Sequence, residues 1–189
     1  MPTNIAIFAS GSGSNAENII HVLKTNPTFQ FRLIVSNKPD AYVHQRAKDL
    51  GVKSVTLGRE AFVSGEKVLQ LLNEYRIDAI VLAGFLLKMP ALVIGKYPNK
   101  IINIHPALLP KYGGKGMYGH HVHQAVKDAG ETESGITIHY VNENYDEGNI
   151  IFQTSCAVSP EDTPNDIGEK VHALEYAHFP RVVEEVFGK

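Results

Sequence analysis

Ile101-Ile102-Asn103-Ile104-His105-Pro106-Ala107-Leu108-Leu109-Pro110 organises the rest of the chain. An apolar run delivers an amide and an imidazole, and two prolines then stop it. Side chains alternate between faces along a strand, so Asn103 and His105 share one face, roughly 6–7 Å apart. Ile102 and Ile104 turn the other way, into packing. Pro106 has no N–H to donate and cannot continue a central strand. The stretch predicts a buried strand ending in a polar pair at the sheet's edge, just where open α/β sheets bind their ligands.

The flanking sequence predicts the sheet that would hold this strand. Asn4–Ser10 reads as a buried strand, Gly11–Asn15 as a turn, and Ala16–Leu23 as a helix with Ile19, Ile20 and Leu23 apolar at helical spacing. Ser14 and Glu17 have the spacing of a capping box at its start. Further strands are expected at Phe29–Ser36, Val52–Leu57, Ile77–Leu82 and Lys100–His105. Helices are expected at Tyr42–Leu50, Arg59–Tyr75 and Pro90–Gly95. Strands alternating with helices over short loops imply βαβ units and a parallel sheet. The texture changes after residue 105. A glycine-rich loop, Pro110–Gly119, leads to a helix at His120–Asp128. Gly135–Val141 and Asn149–Ala157 then read as an antiparallel pair. Asp162–Val186 reads as a long helix, broken or bent near Pro180. The expectation is one α/β domain, doubly wound in its N-terminal part and mixed in its C-terminal part.

Bulk composition narrows the function classes. The chain has 189 residues and a net charge of −2, which leaves no basic footprint for nucleic acid or a membrane surface. The single cysteine, Cys156, cannot form an internal disulfide and fits a reducing compartment. There is no charged segment followed by an apolar one at the start, and no apolar run approaches the ~20 residues of a membrane span. A cytoplasmic protein, monomeric or homodimeric, is expected.

Gly11-Ser12-Gly13-Ser14-Asn15 follows a strand and opens a helix, which gathers backbone N–H groups and helix-terminal positive charge around an anion. With Ala16 the run also matches the relaxed dinucleotide fingerprint G-x-G-x-x-A. A dinucleotide site wants an acid at the end of the second strand, and Ser36-Asn37-Lys38 supplies none. A phosphate monoester is the better expectation.

Asn103 can donate to a developing oxyanion, and His105 can hold or pass a proton near neutrality. A carboxylate would complete the set. Asp146, between two expected strands, is the candidate, with Glu147 its rival. The segment Asn103–Pro110 resembles the signature of the folate-dependent formyltransferases. Ala83-Gly84-Phe85 before it, and Gly135-Ile136-Thr137-Ile138-His139 with Asp146 after it, fall in that family's order. The similarity runs from residue 4 to about residue 187. It implies a Rossmann-like formyltransferase fold, residues 1–105 being the nucleotide-binding half and 106–189 the folate and catalytic-loop half. It also implies formyl transfer from the co-substrate 10-formyltetrahydrofolate to the primary amine of glycinamide ribonucleotide, in purine biosynthesis, with no metal.

By the same resemblance Asn103, His105 and Asp146 would be the catalytic trio, with His105 protonated beside the oxyanion. Gly13, Ser14 and Asn15 would hold the ribonucleotide phosphate, with Glu175 near the ribose and His172 on the same helix face. The folate would lie against Phe85, Leu86, Leu87, Lys88 and Met89 and against the Asn142–Gly148 loop, which includes Tyr145. His139 shares a face with Thr137 and could support Asp146 or His105 from behind. His120-His121-x-His123 has the look of a metal motif but lacks a cysteine or carboxylate at suitable spacing. Two other classes compete. A hydrolase releasing the same formyl group to water would carry a further N-terminal domain, whereas here the first strand begins at residue 4. A non-catalytic nucleotide-binding module would rest on the G-x-G-x-x-A match alone.

Overall fold

The computed structural model describes residues 1–188. In chain order its elements are β1 (Thr3–Phe8), α1 (Ser14–Leu23), β2 (Phe29–Ser36), α2 (Val43–Asp49), β3 (Lys53–Thr56), α3 (Ala61–Ser64), α4 (Glu66–Glu74), β4 (Ala79–Leu82), α5 (Ala91–Lys96), β5 (Ile101–His105), α6 (His120–Asp128), β6 (Glu133–Tyr140), β7 (Ile150–Ala157) and α7 (Pro164–Phe187). Seven strands form one sheet in the order β3-β2-β1-β4-β5-β6-β7. The pairs among β1 to β5 are parallel, and β6 and β7 are added antiparallel.

The central strands are buried on both faces, which is why β1 reads as an unbroken apolar run rather than an alternating one. Ile5 and Ile7 face one cluster, shared with α1, α6 and α7, while Ala6 and Phe8 face another, shared with α3, α4 and α5. The alternation continues in β5, where Ile102 and Ile104 enter the first cluster and Ile101 the second. The strand order reverses between β1 and β4, so the connections leave their carboxyl ends in opposite directions and open a crevice there.

Three local expectations are corrected. Ser14 and Glu17 form no capping box: the N-cap is Gly13, in the left-handed region with φ 73°, and no side chain caps α1. Glu17 pairs instead with Arg46 of α2, whose Nε also donates to the Ser12 carbonyl at 2.8 Å. The helix expected over Arg59–Tyr75 is two helices divided at Gly65 (φ 81°), where an added Cβ would lie 2.6 Å from the Pro90 side chain. In contrast, α7 runs unbroken through Pro180. A helix-interior proline costs about 3 kcal/mol. Burial of Phe179, Pro180, Val182 and Val183 offsets that cost.

The loop after β5 is held by Thr137, a fully buried residue of β6. Its Oγ1 donates to the Ala107 carbonyl at 2.7 Å and accepts from the Leu109 N–H at 3.0 Å and from Gln153 Nε2 at 2.8 Å. Valine has the same shape without the hydroxyl, so Thr137→Val strands two buried backbone groups. The expected loss is about 2–4 kcal/mol of unfolding free energy. Urea denaturation checks this, and an unchanged midpoint would contradict it.

Candidate active site

The antiparallel register of β5 on β6 builds the centre of the site. Asn103 lies opposite His139, and His105 opposite Thr137. A carbonyl can only accept, so two carbonyls assign the imidazole protons. His105 Nε2 lies 2.7 Å from the Tyr112 carbonyl and therefore carries hydrogen, leaving Nδ1 as its titrating atom. His139 Nδ1 lies 2.9 Å from the Tyr140 carbonyl, so its Nε2 is an acceptor and receives Asn103 Nδ2 at 3.1 Å. One Asn103 N–H is thereby committed to His139, and the other is available to the cavity.

Asp146 closes the group from the β6–β7 loop, with a left-handed backbone (φ 55°). Its Oδ2 accepts the Gly114 N–H at 2.9 Å and stands 3.6 Å from His105 Nδ1, and its Oδ1 stands 3.6 Å from His139 Nε2. Between the two rival carboxylates, Asp146 is the one that meets the imidazoles. His105 is 4% exposed, and burial pushes its pKa below the ordinary 6.5 despite opposing contributions from Asp146, the Tyr112 carbonyl and Glu175. The free site therefore favours a neutral imidazole. Burial acts to raise the Asp146 pKa, but the net effect of its neighbours, the Gly114 N–H donor among them, holds the carboxyl below its usual range. A neutral Nδ1 and an ionised carboxylate thus face each other as two acceptors, an arrangement relieved when Nδ1 takes up a proton.

A cavity of about 380 Å³ opens over Asn103, His105 and Asp146, and Asn15 and Glu175 line it from the other side. Gly13 admits no side chain, because an added Cβ would come within 2.3 Å of Val43. No side chain caps the N-terminal end of α1, an arrangement suited to an anion. Asn15 Nδ2 donates to Glu175 Oε2 at 2.7 Å, and His172 Nδ1 lies 3.0 Å from the same oxygen. The structure therefore joins Asn15, His172 and Glu175, with Gly13 and Ser14 at the adjoining turn. Asn15 Oδ1 is buried and has no partner among the described residues.

A small groove of about 60 Å³ adjoins this cavity and shares Phe85, Asn103, Tyr145 and Asp146 with it. Leu87, Lys88 and Met89 line the groove, whereas Leu86 turns into the larger cavity. Met89 is 2% exposed and serves as wall, and Lys88 Nζ lies 5.8 Å from the Tyr145 ring centroid across the mouth. The Gly114–Gly119 segment roofs the larger cavity. Among the described residues no cluster of histidine, cysteine or acidic side chains is placed to hold a metal, and no helix is long and apolar enough to cross a membrane.

Three participants escaped the sequence reading. Ser10 Oγ accepts the Leu86 N–H at 2.9 Å and donates to Asn37 Oδ1, tying the turn after β1 to the turn after β4. Its place at a strand's carboxyl end was the available signal. Arg59 lines the cavity from the β3–α3 loop, but the continuous helix expected there hid it. The Tyr112 carbonyl that fixes His105 is backbone and leaves no trace in residue type.

The sequence pattern described as formyl transferase matches residues 3–183. The chain belongs to the formyl transferase family. Phosphoribosylglycinamide formyltransferase of Escherichia coli K12 is 35% identical over 185 residues, 95% of this chain and 85% of that one. The chloroplastic enzyme of that name from Arabidopsis thaliana is 36% identical over 95% of this chain, which spans 63% of the plant protein's length. The crystal structure of phosphoribosylglycinamide formyltransferase from Bacillus halodurans superposes with a TM-score of 0.89 at 35% identity, over 99% of this chain and 96% of that one. The α/β sheet with its antiparallel C-terminal strands is thus the formyl transferase fold, and the chain is read as an enzyme of that family.

The electrostatics generate a test independent of turnover. His105 should titrate below 6.5 in a histidine-ring NMR titration. Asp146→Asn should move it lower still, because the carboxylate favours the imidazolium. A midpoint above 6.5, or an upward move in the variant, would contradict the assignment.

Proposed function

We propose that this formyl transferase moves the formyl group of 10-formyltetrahydrofolate to the primary amine of glycinamide ribonucleotide, in purine biosynthesis. The observation that carries this reading is the single cavity in which Asn103, His105 and Asp146 face Asn15 and Glu175. One side has the donors and the proton acceptor for acyl transfer, and the other has Asn15, at the start of α1, and Glu175. The names of the relatives support the same acceptor and the transfer of a formyl group.

The chain's own groups suffice for the steps. The ribonucleotide phosphate sits on Gly13, Ser14 and Asn15, and Glu175 with His172 meets the ribose and glycinamide portion. The folate lies against Phe85, Leu86 and Tyr145 in the larger cavity and reaches Leu87, Lys88 and Met89 in the adjoining groove. The amine attacks the formyl carbon, and the carbonyl electron pair moves onto oxygen. The uncommitted Asn103 N–H stabilises that oxyanion, a contribution of roughly 3–4 kcal/mol in a water-excluded site. His105 Nδ1 accepts the proton the amine loses, and the resulting imidazolium lies between the Tyr112 carbonyl and Asp146. The proton then passes to the folate nitrogen as its bond to carbon breaks. His139 acts from behind by orienting Asn103.

We assign residues 1–189 to one formyltransferase domain with a nucleotide-binding half, 1–105, and a folate and catalytic-loop half, 106–189. His172 and Glu175 cross over to complete the first half's site, and Phe85–Met89 cross over to complete the second's. Cys156 as the lone cysteine fits a cytoplasmic setting.

Formylation of glycinamide ribonucleotide by purified variants tests this reading. His105→Ala and Asp146→Asn should each lose roughly 10²-fold or more in kcat while remaining folded. Near-normal turnover of either would remove that residue from the mechanism. Ser14→Asp should raise the KM for the ribonucleotide by repelling its phosphate, with a smaller effect on the folate KM. An unchanged ribonucleotide KM would displace the phosphate from the turn after β1.

A further inference from the structure

The turn between β1 and α1 is held from one side by α2. Two successive carbonyls of the turn are taken by that helix. The Val43 N–H donates to the Gly11 carbonyl at 3.1 Å, and Arg46 Nε donates to the Ser12 carbonyl at 2.8 Å. The peptide bonds of the turn are trans, and across a trans peptide the N–H points opposite to the C=O. The N–H groups of Ser12 and Gly13 are therefore turned away from α2. They donate to no group among the described residues, and neither do those of Asn15 and Ala16 in the first turn of α1. Backbone donors left without an acceptor suit an anion.

One side chain works against that anion. Glu17 lies in the first turn of α1, where a carboxylate gains from the helix dipole but repels any other negative charge bound at the same end. Arg46 reaches both features at once. Its Nε holds the Ser12 carbonyl and its Nη1 pairs with the Glu17 carboxylate. The Tyr42 ring, with its centroid 5.1 Å from Arg46 Cζ, adds a third restraint. Both charged side chains are largely buried, at 25% and 29% exposed, so salt screens the pair only in part. A guanidinium presents donors in two fixed directions, whereas a lysine ammonium is a point charge on a flexible stem.

We infer that Arg46 is a positioning residue for the phosphate of the substrate. It has two actions. Holding the Ser12 carbonyl fixes the direction of the Gly13 N–H, and pairing with Glu17 removes the charge that would repel the phosphate. Arg46 does not line the cavity, so it acts through the turn and through Glu17 rather than by touching substrate. This role rests on the proposed reading in one respect, that the substrate brings a phosphate to this turn.

Two measurements on the full chain test it. In formylation of glycinamide ribonucleotide, Arg46→Met should raise the ribonucleotide KM roughly tenfold, with kcat and the folate KM within about twofold of the parent. Glu17→Gln should lower the ribonucleotide KM, and adding it to Arg46→Met should recover part of the loss. A purely structural pair would behave oppositely, since Glu17→Gln also deletes the contact. In an NMR titration with inorganic phosphate, the amides of Ser12, Gly13 and Asn15 should shift saturably, and Arg46→Met should weaken that binding roughly tenfold. Arg46 loses this role if Arg46→Met leaves the ribonucleotide KM and phosphate binding unchanged, if kcat and the folate KM move as far as the ribonucleotide KM, or if Glu17→Gln raises that KM. Phosphate binding that depends on Arg46 in a chain that transfers no formyl group would uphold the role of Arg46 and overturn the proposed reaction. Formyl transfer with a ribonucleotide KM indifferent to Arg46 would do the reverse. Should Arg46→Met fail to fold, Glu17→Gln decides alone.

Discussion

The antiparallel pairing of β5 with β6 is the constraint on which the site depends. It sets Asn103 against His139 and His105 against Thr137. From that register follow the Asn103–His139 hydrogen bond and the anchoring of the post-β5 loop on Thr137. The loop then carries the Tyr112 carbonyl to His105 and the Gly114 N–H to Asp146. A one-residue slip would turn the polar pair to the opposite face. That slip is opposed by Ile102 and Ile104 on β5 and Ile136 and Ile138 on β6, all buried in one cluster. Hydrophobic burial thus specifies the register, and the register specifies the chemistry.

Burial also decides the protonation state. Two imidazoles and one carboxylate share a space largely closed to water, where a charge without partners is costly. The carboxylate keeps its charge beside the Gly114 N–H donor, while burial leaves His105 neutral. The result is a proton acceptor with an ionised partner behind it, ready to bind the proton an amine releases. Asp146 holds this place with a left-handed backbone, uncommon outside glycine although aspartate is among the residues that adopt it more readily. The β6–β7 loop is shaped around the carboxylate, as active-site loops commonly are.

Much of this was legible in the sequence because strand periodicity survives tertiary packing. The alternation of Ile102, Asn103, Ile104 and His105 fell as expected, and the Gly-Ser-Gly-Ser-Asn run sits between β1 and α1. Asp146 was a candidate from its place between two expected strands, with Glu147 its rival, and the family order of motifs favoured it. What was not legible depends on partners distant in sequence. Glu17 left its capping role because Arg46 lies within reach. Gly65 ends α3 because Pro90 crowds it. Pro180 does not interrupt α7 because its surroundings are packed. The charge of His105 is likewise a property of burial, which residue type left open.

The central claim is that one cavity passes a formyl group from a folate to the amine of a ribonucleotide. The most direct measurement follows an isotope-labelled formyl group on tetrahydrofolate, with and without glycinamide ribonucleotide. The account predicts that the label passes to the ribonucleotide, and that its loss from the folate is roughly 10²-fold or more faster when the ribonucleotide is present. Release of the label as formate at the same rate with and without the ribonucleotide would contradict it.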